Sequence, residues 1–256
     1  MMVDEELNLI QGLIDRRYRD LRTEILNQAK KILWGKETEE VVQAKFGFEI
    51  TIKKLMCLKP NTWLNDEVIN FYMHMLIAHD IAMCNEDPSR KRSHLFSSFF
   101  MERLLVTDGT YMYRNIEKWS KGLDIFELDK LFFPINIDNT HWALAVVFPQ
   151  LKQIHYFDSM GNDGEEYMSS LRQWVIDEAK SKKNLTLNPN DWTLVCRHDI
   201  PQQDNGWDCG VFTVACADFL LDNLPLNENS YSQAKMEFWR EKIAVDILNG
   251  YLSYTL

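Results

Sequence analysis

The sequence has no long apolar run, no secretory signal and no excess of positive charge. Its longest notable apolar stretch, residues 142–148, is far shorter than the about 18–20 residues of a membrane-spanning helix. The N-terminus is acidic and lacks the apolar core of a signal peptide. The 28 Lys and Arg against 38 Asp and Glu give a formal net charge of −10. These absences argue against a membrane protein and against nucleic acid as the main partner, since phosphate binding needs a basic face. A partner with a basic patch would suit this charge.

The chain also lacks internal repeats and low-complexity tracts. Its five cysteines are an odd number, and without a secretory signal they predict free thiols in a reducing compartment. The composition is 46% hydrophobic, which is typical of a packed globular protein and not of a disordered one. At 256 residues, the chain has room for one or two domains with a sizeable core.

Hydrophobic periodicity predicts helices and strands that are segregated along the chain and do not strictly alternate. Predicted helices cover residues 4–33, 95–105, 115–120, 167–181, 211–221 and 229–252. A further predicted helix begins after a cap at Asn65 or Asp66. Predicted strands cover residues 46–52, 131–137, 141–148, 153–157 and 192–198, and the three in the middle form a meander. This segregation favours an α+β fold over a doubly wound sheet.

The most informative stretch is residues 201–210, PQQDNGWDCG, which leads into a predicted buried helix. Turn-forming residues precede Cys209 and an apolar run follows it, so the cysteine lies at the positive end of the helix. A thiolate is stabilised at such a position. Gln203 lies six residues earlier, and its side-chain amide could donate a hydrogen bond to an oxygen beside the sulfur. A nucleophile with a nearby donor is half of a cysteine hydrolase.

The predicted meander supplies a base and its partner. His141 opens one strand, and Asp158 follows the end of the next. Adjacent antiparallel strands place the first residue of one beside the last of the other, so we expect the two side chains at one sheet edge. The aspartate would accept from one imidazole nitrogen and leave the other facing the Cys209 sulfur. Singly, a histidine and an aspartate at such positions are more often structural, but together with Cys209 they favour catalysis.

The remaining cysteines give little support to a metal site. Cys196 and His198 together with Cys209 lack the paired spacing of metal ligands. The other three cysteines have no neighbouring base in the sequence or lie on the apolar run, and they are assigned to structure. The sequence therefore predicts no metal.

Four motifs together resemble the ubiquitin-like-protein-specific cysteine protease family, the Ulp or sentrin/SUMO-specific proteases (peptidase family C48). They are WLND at residues 63–66, HWAL at 141–144, YFDSMG at 156–161 and PQQDNGWDCG at 201–210. They occur in the family's order, and the likeness covers about residues 45–256. The resemblance implies a catalytic domain over residues 45–256, preceded by an N-terminal helical extension over residues 1–44. It also implies a papain-like α+β fold with permuted catalytic order (His-Asp-Cys) and a central, mostly antiparallel sheet flanked by helices.

The resemblance also implies a role for each residue of the site. His141 would be the general base, Asp158 the acid that orients it, and Cys209 the nucleophile. Gln203 would form the oxyanion hole with the backbone N–H of Cys209.

Three further residues would bind the substrate. Trp63 and Trp142 would line a narrow tunnel for a C-terminal Gly-Gly, because two indole rings leave space only for a strand without side chains. Asp66 would face a basic residue on the surface of the modifier.

The implied activity is that of a thiol protease that needs no metal or organic cofactor. It would cleave after the C-terminal Gly-Gly of a ubiquitin-like modifier, SUMO foremost, and so release the modifier from target lysines or mature its precursor. The expected partners are the modifier and its conjugates, with no nucleic acid and no membrane. A monomer and a nuclear or nucleocytoplasmic location are expected.

Three alternatives stay open. The modifier could be another ubiquitin-like protein or ubiquitin, since the catalytic set would be identical. Related folds use the same set for acyl transfer, although an acetyl donor needs no glycine-only passage. An inactive module that binds modified proteins would be expected to lack part of the catalytic set.

Overall fold

The chain forms two compact units, one of which is built from both of its ends. The structure is a computed structural model that describes residues 2–106 and 109–255. The chain up to His79 and the chain from Pro201 onward form the first unit, here called the split unit. Asp80–Ile200 forms the second, here called the continuous unit. Among residues 2–106 and 109–255, no helix is both long and apolar enough to cross a membrane.

The split unit is mainly helical. Its elements are α1 (Met2–Arg17), α2 (Thr23–Leu33), β1 (Val41–Lys45), β2 (Phe48–Thr51), α3 (Ile52–Leu55), the first part of α4 (Asp66–Glu86), α7 (Cys209–Leu221) and α8 (Met236–Asn249). Helix α7 is buried along nearly its whole length because its sequence is apolar on every side. It forms the centre of the unit's core, and α8 packs against both α7 and α2.

One local prediction for the split unit is wrong, and one strand was missed. The expected single helix over residues 4–33 is two helices with a break after Arg17, whose guanidinium turns inward to Asp218. Tyr18, in the break, donates to the backbone oxygen of Ser230. Periodicity did not reveal the break because Tyr18 and Leu21 remain half-buried on either side of the turn. Strand β1 was not predicted at all.

Strands β1 and β2 form a hairpin with a two-residue turn at Phe46 and Gly47. Both turn residues have positive φ, at 57° and 80°. This is the geometry of the tight turns whose twist matches that of the flanking strands. The predicted boundary between an N-terminal extension, residues 1–44, and a catalytic domain, residues 45–256, stays a prediction.

The continuous unit is built on a five-stranded sheet in the order β3-β4-β5-β6-β7. The strands are β3 (His94–Leu95), β4 (Leu131–Ile137), β5 (His141–Phe148), β6 (Gln153–Phe157) and β7 (Thr193–Arg197). The predicted meander of β4, β5 and β6 is confirmed, and its two pairings are antiparallel. The outer strands β3 and β7 pair in parallel, so the sheet is mixed. Parallel neighbours need long crossovers, and the chain between β6 and β7 contains a helix for this purpose.

Helices α5 (Phe99–Leu104) and α6 (Glu165–Lys183) pack on this sheet. Their contact with it is an aromatic cluster in which Phe96, Phe100 and Trp174 surround Phe133, with ring centroids 4.9–5.5 Å from the Phe133 ring. The helix expected over residues 95–105 begins instead as strand β3, and the piece at 115–120 is only turns. The expected helix over 229–252 is shorter, since α8 begins only at Met236.

Candidate active site

His141 and Asp158 are joined by a hydrogen bond within the continuous unit. Strand β5 begins at His141, and strand β6 ends one residue before Asp158. Because the two strands pair antiparallel, these positions meet at one edge of the sheet. His141 Nε2 lies 2.8 Å from Asp158 Oδ1. Both residues are buried, so the expected juxtaposition is confirmed.

The Asp158 carboxylate collects donors from its own loop. Its Oδ1 accepts the backbone N–H of Met160 at 2.7 Å, and its Oδ2 accepts from Asn162 Nδ2 at 3.1 Å. Burial alone would raise the pKa of Asp158, but the hydrogen bonds from His141, Met160 and Asn162 outweigh it and lower that pKa below its ordinary value. Asp158 is therefore ionised at neutral pH and can hold the imidazole in one orientation.

Cys209 is the first residue of α7 and is 1% exposed. The free N–H groups at the start of a helix carry partial positive charge. Asp208 precedes it, and its backbone oxygen accepts the N–H of Phe212 at 2.9 Å, which closes the first turn of the helix. The predicted position of the cysteine, between a turn and a buried helix, is confirmed.

The side chain of Asp208 holds this turn in place. Its Oδ1 accepts from Arg240 Nε at 2.9 Å and Nη2 at 2.6 Å. Its Oδ2 accepts from Asn205 Nδ2 and from Gln233 Nε2, each at 2.8 Å. The residue before the candidate nucleophile is thus fixed by three side chains within the split unit.

Sequence reasoning missed Arg240, which lies on α8 and is 4% exposed. Besides Asp208, its guanidinium donates to the backbone oxygens of Thr62 at 2.7 Å, Lys59 at 3.0 Å and Trp207 at 3.2 Å. It therefore ties the turn before Cys209 to the turn before Trp63. The only available signal was an arginine in a largely apolar terminal helix, and that signal does not reveal backbone partners so far along the chain.

Trp63 and Gln203 both donate hydrogen bonds to the turn before Cys209. Trp63 is 50% exposed, and its Nε1 donates to the backbone oxygen of Gly206 at 2.6 Å. Gln203 is half-buried, and its Nε2 donates to the backbone oxygen of Asn205. The indole and the amide are therefore both anchored to the stretch that leads into Cys209.

Trp142 and Asp66 complete the predicted set. Trp142 is the second residue of β5 and is 4% exposed, directly after His141. Asp66 is the first residue of α4. Asn65 caps this helix, because its Oδ1 accepts the N–H of Val68 at 2.9 Å. Burial and the neighbouring charge of Glu67 raise the pKa of Asp66.

The structure distributes the seven predicted residues over the two units. The continuous unit contains the base, its orienting acid and one tryptophan: His141, Asp158 and Trp142. The split unit contains the nucleophile, the oxyanion donor and two residues predicted to bind substrate: Cys209, Gln203, Trp63 and Asp66. The roles of all seven stay predictions.

Curated relatives share much of this sequence. The chain is 35% identical over 243 residues to Sentrin-specific protease 2 of Homo sapiens, a match that covers 93% of this chain and 39% of that protein. It is 33% identical over 212 residues to Ubiquitin-like-specific protease 1A of Arabidopsis thaliana, covering 81% of this chain and 41% of that protein. The chain thus spans about two fifths of the length of these relatives.

Solved structures share the fold. The C-terminal Ulp1 protease domain, solved in complex with Smt3, the yeast ortholog of SUMO, superposes with a TM-score of 0.72 at 29% identity, over 90% of this chain and 96% of that one. The catalytic domain of the Ulp1-like SUMO protease of Chaetomium thermophilum gives a TM-score of 0.73 at 25% identity, over 90% of both chains. The predicted papain-like α+β fold is confirmed.

A family-level comparison agrees with these pairwise matches. Residues 62–253 match the C-terminal catalytic domain of the Ulp1 protease family. This range contains most of the chain, including His141, Asp158 and Cys209. The chain therefore belongs to the Ulp1 protease family.

Proposed function

We propose that this chain is a thiol protease that cleaves after the C-terminal Gly-Gly of SUMO, and so removes SUMO from target lysines, matures the SUMO precursor, or does both. The observation that carries the proposal is the likeness to the Ulp1 domain that was solved with a SUMO ortholog, at 29% identity and a TM-score of 0.72. The hydrogen-bonded pair of His141 and Asp158, and the position of Cys209 at the start of α7, support it.

In the proposed reaction, Cys209 is the nucleophile and His141 the general base. The imidazole takes the thiol proton, and the thiolate attacks the carbonyl carbon of the terminal glycine. Because Asp158 holds Nε2, the nitrogen that exchanges this proton is Nδ1. The same nitrogen then gives its proton to the leaving amine, and water hydrolyses the thioester with His141 again as base.

The oxyanion of each tetrahedral intermediate would accept from Gln203 and from the backbone N–H of Cys209. The side-chain amide of Gln203 donates to the backbone oxygen of Asn205, and an amide NH₂ group carries two donor hydrogens. The Asn205 contact would therefore aim the amide and leave it in place during the reaction. One such donor is generally worth about 2.7–4 kcal/mol in the transition state.

Substrate recognition would use the two tryptophans and Asp66. Trp63 is fixed through its Nε1 but half-exposed, which suits contact with a glycine strand. Asp66 is half-buried and would pair with a basic side chain of the modifier. The formal net charge of −10 would favour encounter with such a surface. We further propose a monomer in the nucleus or nucleocytoplasm, and the five free thiols support a reducing compartment.

The test combines one variant with a panel of modifiers. Cys209→Ser should abolish cleavage of a SUMO–fluorophore fusion while SUMO binding is retained. Cys216→Ala, on the same helix, is the matched control and should remain active. Full activity of Cys209→Ser would contradict the mechanism.

Electrophilic probes built on SUMO, other ubiquitin-like proteins and ubiquitin should label Cys209, with SUMO fastest. Labelling by ubiquitin alone would contradict the proposed substrate.

A further inference from the structure

A second group of reactive side chains lies in the continuous unit, apart from the His141–Asp158 hydrogen bond. Asp163, Cys196 and His198 each direct one ligand atom toward the others, and these three atoms lie within 4.8 Å of one another. His198 Nε2 is 3.3 Å from Asp163 Oδ1. The group combines a thiol sulfur, an imidazole nitrogen and a carboxylate oxygen.

The fold brings the three together through two rigid segments. Cys196 lies on edge strand β7 and His198 directly follows it, so alternation along the strand directs both side chains to the same side. Asp163 lies on the loop that leaves β6. Its neighbour Gly164 packs against the ring of Tyr156 so closely that an added Cβ would lie 2.3 Å from ring atoms. That contact fixes the loop beside β7 before any ligand binds.

We propose that Asp163, Cys196 and His198 form a binding site for a divalent transition metal ion, with Zn²⁺ preferred. Zinc binds thiolate, imidazole and carboxylate at about 2.0–2.3 Å, and three protein ligands leave a fourth position for water. Ligand atoms around one such ion are then roughly 3–4 Å apart. Rotations of the exposed Asp163 and His198 side chains toward the half-buried Cys196 would bring the atoms to these separations. A thiolate and an imidazole also select against Mg²⁺ and Ca²⁺, which prefer oxygen ligands.

The charges around the group are compatible with a cation. The thiolate and Asp163 together supply two negative charges to the ion. Arg197, between Cys196 and His198 in the sequence, is paired with Asp199 at 2.6 Å and lies over the ring of Phe157. Its positive charge is therefore compensated away from the proposed ion.

The loop that supplies Asp163 is the loop that holds Asp158. Asn162 donates to Asp158 Oδ2 at 3.1 Å, and its backbone oxygen lies 3.7 Å from the sulfur of Cys196. An ion bound by Cys196 replaces its thiol proton, so the hydrogen bond from Cys196 to Asn162 is lost, while Asp163, the next residue, becomes a ligand. Metal binding would therefore change the surroundings of Asp158, the residue that orients His141. This effect on catalysis rests on the proposed function, but the binding of the metal does not.

The test uses the full chain with Cys209→Ser, so that the candidate nucleophile cannot bind the probe. Titration with Co²⁺ alone should produce a thiolate-to-cobalt charge-transfer band that saturates at about one equivalent and is displaced by Zn²⁺. Substitution of a residue that only hydrogen-bonds to a metal ligand typically lowers metal affinity by about 10–100-fold. Loss of a ligand itself should therefore weaken binding at least about tenfold. This loss is expected for Cys196→Ser and for His198→Ala, each added to Cys209→Ser.

Cys84→Ser is the matched control, because Cys84 lies in the same unit and its thiol donates to another carboxylate, that of Asp80. It should leave the band unchanged. Zn²⁺ should also raise the thermal midpoint of the Cys209→Ser chain and not that of the chain that also carries Cys196→Ser. Absence of a thiolate band, or a band that survives Cys196→Ser, would overturn the proposal. Neither outcome depends on whether the chain cleaves SUMO.

Discussion

At the scale of single residues, Asp158 combines deep burial with a full set of donors. It is 2% exposed and accepts hydrogen bonds from His141, Met160 and Asn162. A buried carboxylate without donors would take up a proton and lose its hold on the imidazole. The loop after β6 therefore matters to chemistry mainly because it keeps this carboxylate charged.

Asp158→Asn tests that role. The amide cannot hold the imidazole in the same tautomer, so we expect kcat to fall on the order of 10³–10⁴-fold with a smaller change in KM.

The folded pKa of Asp158 is lowered, so its contribution to stability is complete above the ordinary carboxyl pKa and is lost as pH falls through the lowered value. The difference in free energy of unfolding between wild type and variant should therefore shrink in acid. Urea titrations at several pH values measure it, and a difference that does not vary with pH would contradict the assignment.

The pairing of His141 with Asp158 was predictable because it depends only on strand order and direction. Two consecutive strands with clear apolar patterns determine which ends meet. The role of Arg240 was not predictable, because several of its partners are backbone oxygens 178–183 residues away, and a backbone oxygen leaves no signal in the sequence. The approach of Asp163 to Cys196 was missed for a related reason: it depends on the parallel pairing of β7.

At the scale of elements, α8 holds the segment that ends in Cys209. Arg240 is the contact, and its Nη2 lies 2.6 Å from Asp208 with both side chains nearly buried. A planar guanidinium fork can serve a carboxylate and several carbonyls at once, which a lysine cannot do. The position of the candidate nucleophile thus depends on a helix that carries none of the predicted catalytic residues.

Arg240→Met should therefore cost stability and activity together. It leaves the carboxylate of Asp208 buried without its cation, a change generally worth about 3–5 kcal/mol. Arg240→Lys keeps the charge without the fork and should be intermediate in kcat. Arg240→Met combined with Asp208→Asn removes both charges and should recover part of the lost stability. Urea unfolding and SUMO–fluorophore cleavage of the three variants measure this, and additive losses in the double variant would contradict the coupling.

Element types were easier to predict than their ends or directions. The strands of the meander have the predicted bounds because their apolar runs end at turn residues. The parallel edges of the sheet were unpredictable from periodicity, since a strand has the same pattern whichever way it pairs. The break after Arg17 was hidden because both flanking segments bury residues at helical spacing.

At the scale of the whole molecule, α1 is joined to the core of the split unit by buried charges. Arg17 Nε lies 2.6 Å from Asp218 Oδ1, and its Nη2 lies 2.6 Å from Asp222 Oδ2. Burial alone would lower the pKa of Arg17, but Asp218, Tyr254 and Asp222 outweigh it and raise that pKa. These ion pairs make α1 part of the packed structure of the split unit.

This predicts a measurable cost at the expected domain boundary. A chain shortened to residues 45–256 loses Arg17 and leaves Asp218 buried without its cation, so we expect its free energy of unfolding to fall by more than about 3 kcal/mol. Arg17→Met in the full chain should show a similar loss, whereas Arg16→Met, on the exposed side of α1, should show little. Equal stability of the shortened and full chains would mean that residues 1–44 are a separate extension.

The division of the split unit between both ends of the chain has a consequence for its synthesis. Arg17 and Asp218 are separated by 201 residues. At about 5–20 residues per second, a ribosome needs roughly 10–40 s to supply the second after the first. During that interval the continuous unit can fold, while α1 lacks Asp218 and α2 lacks α8. Cys209 follows the whole continuous unit in the sequence, so a nascent chain reaches the candidate nucleophile only after that unit has been translated. Under the proposed function, the order of translation would itself keep the chain inactive until Cys209 has been added.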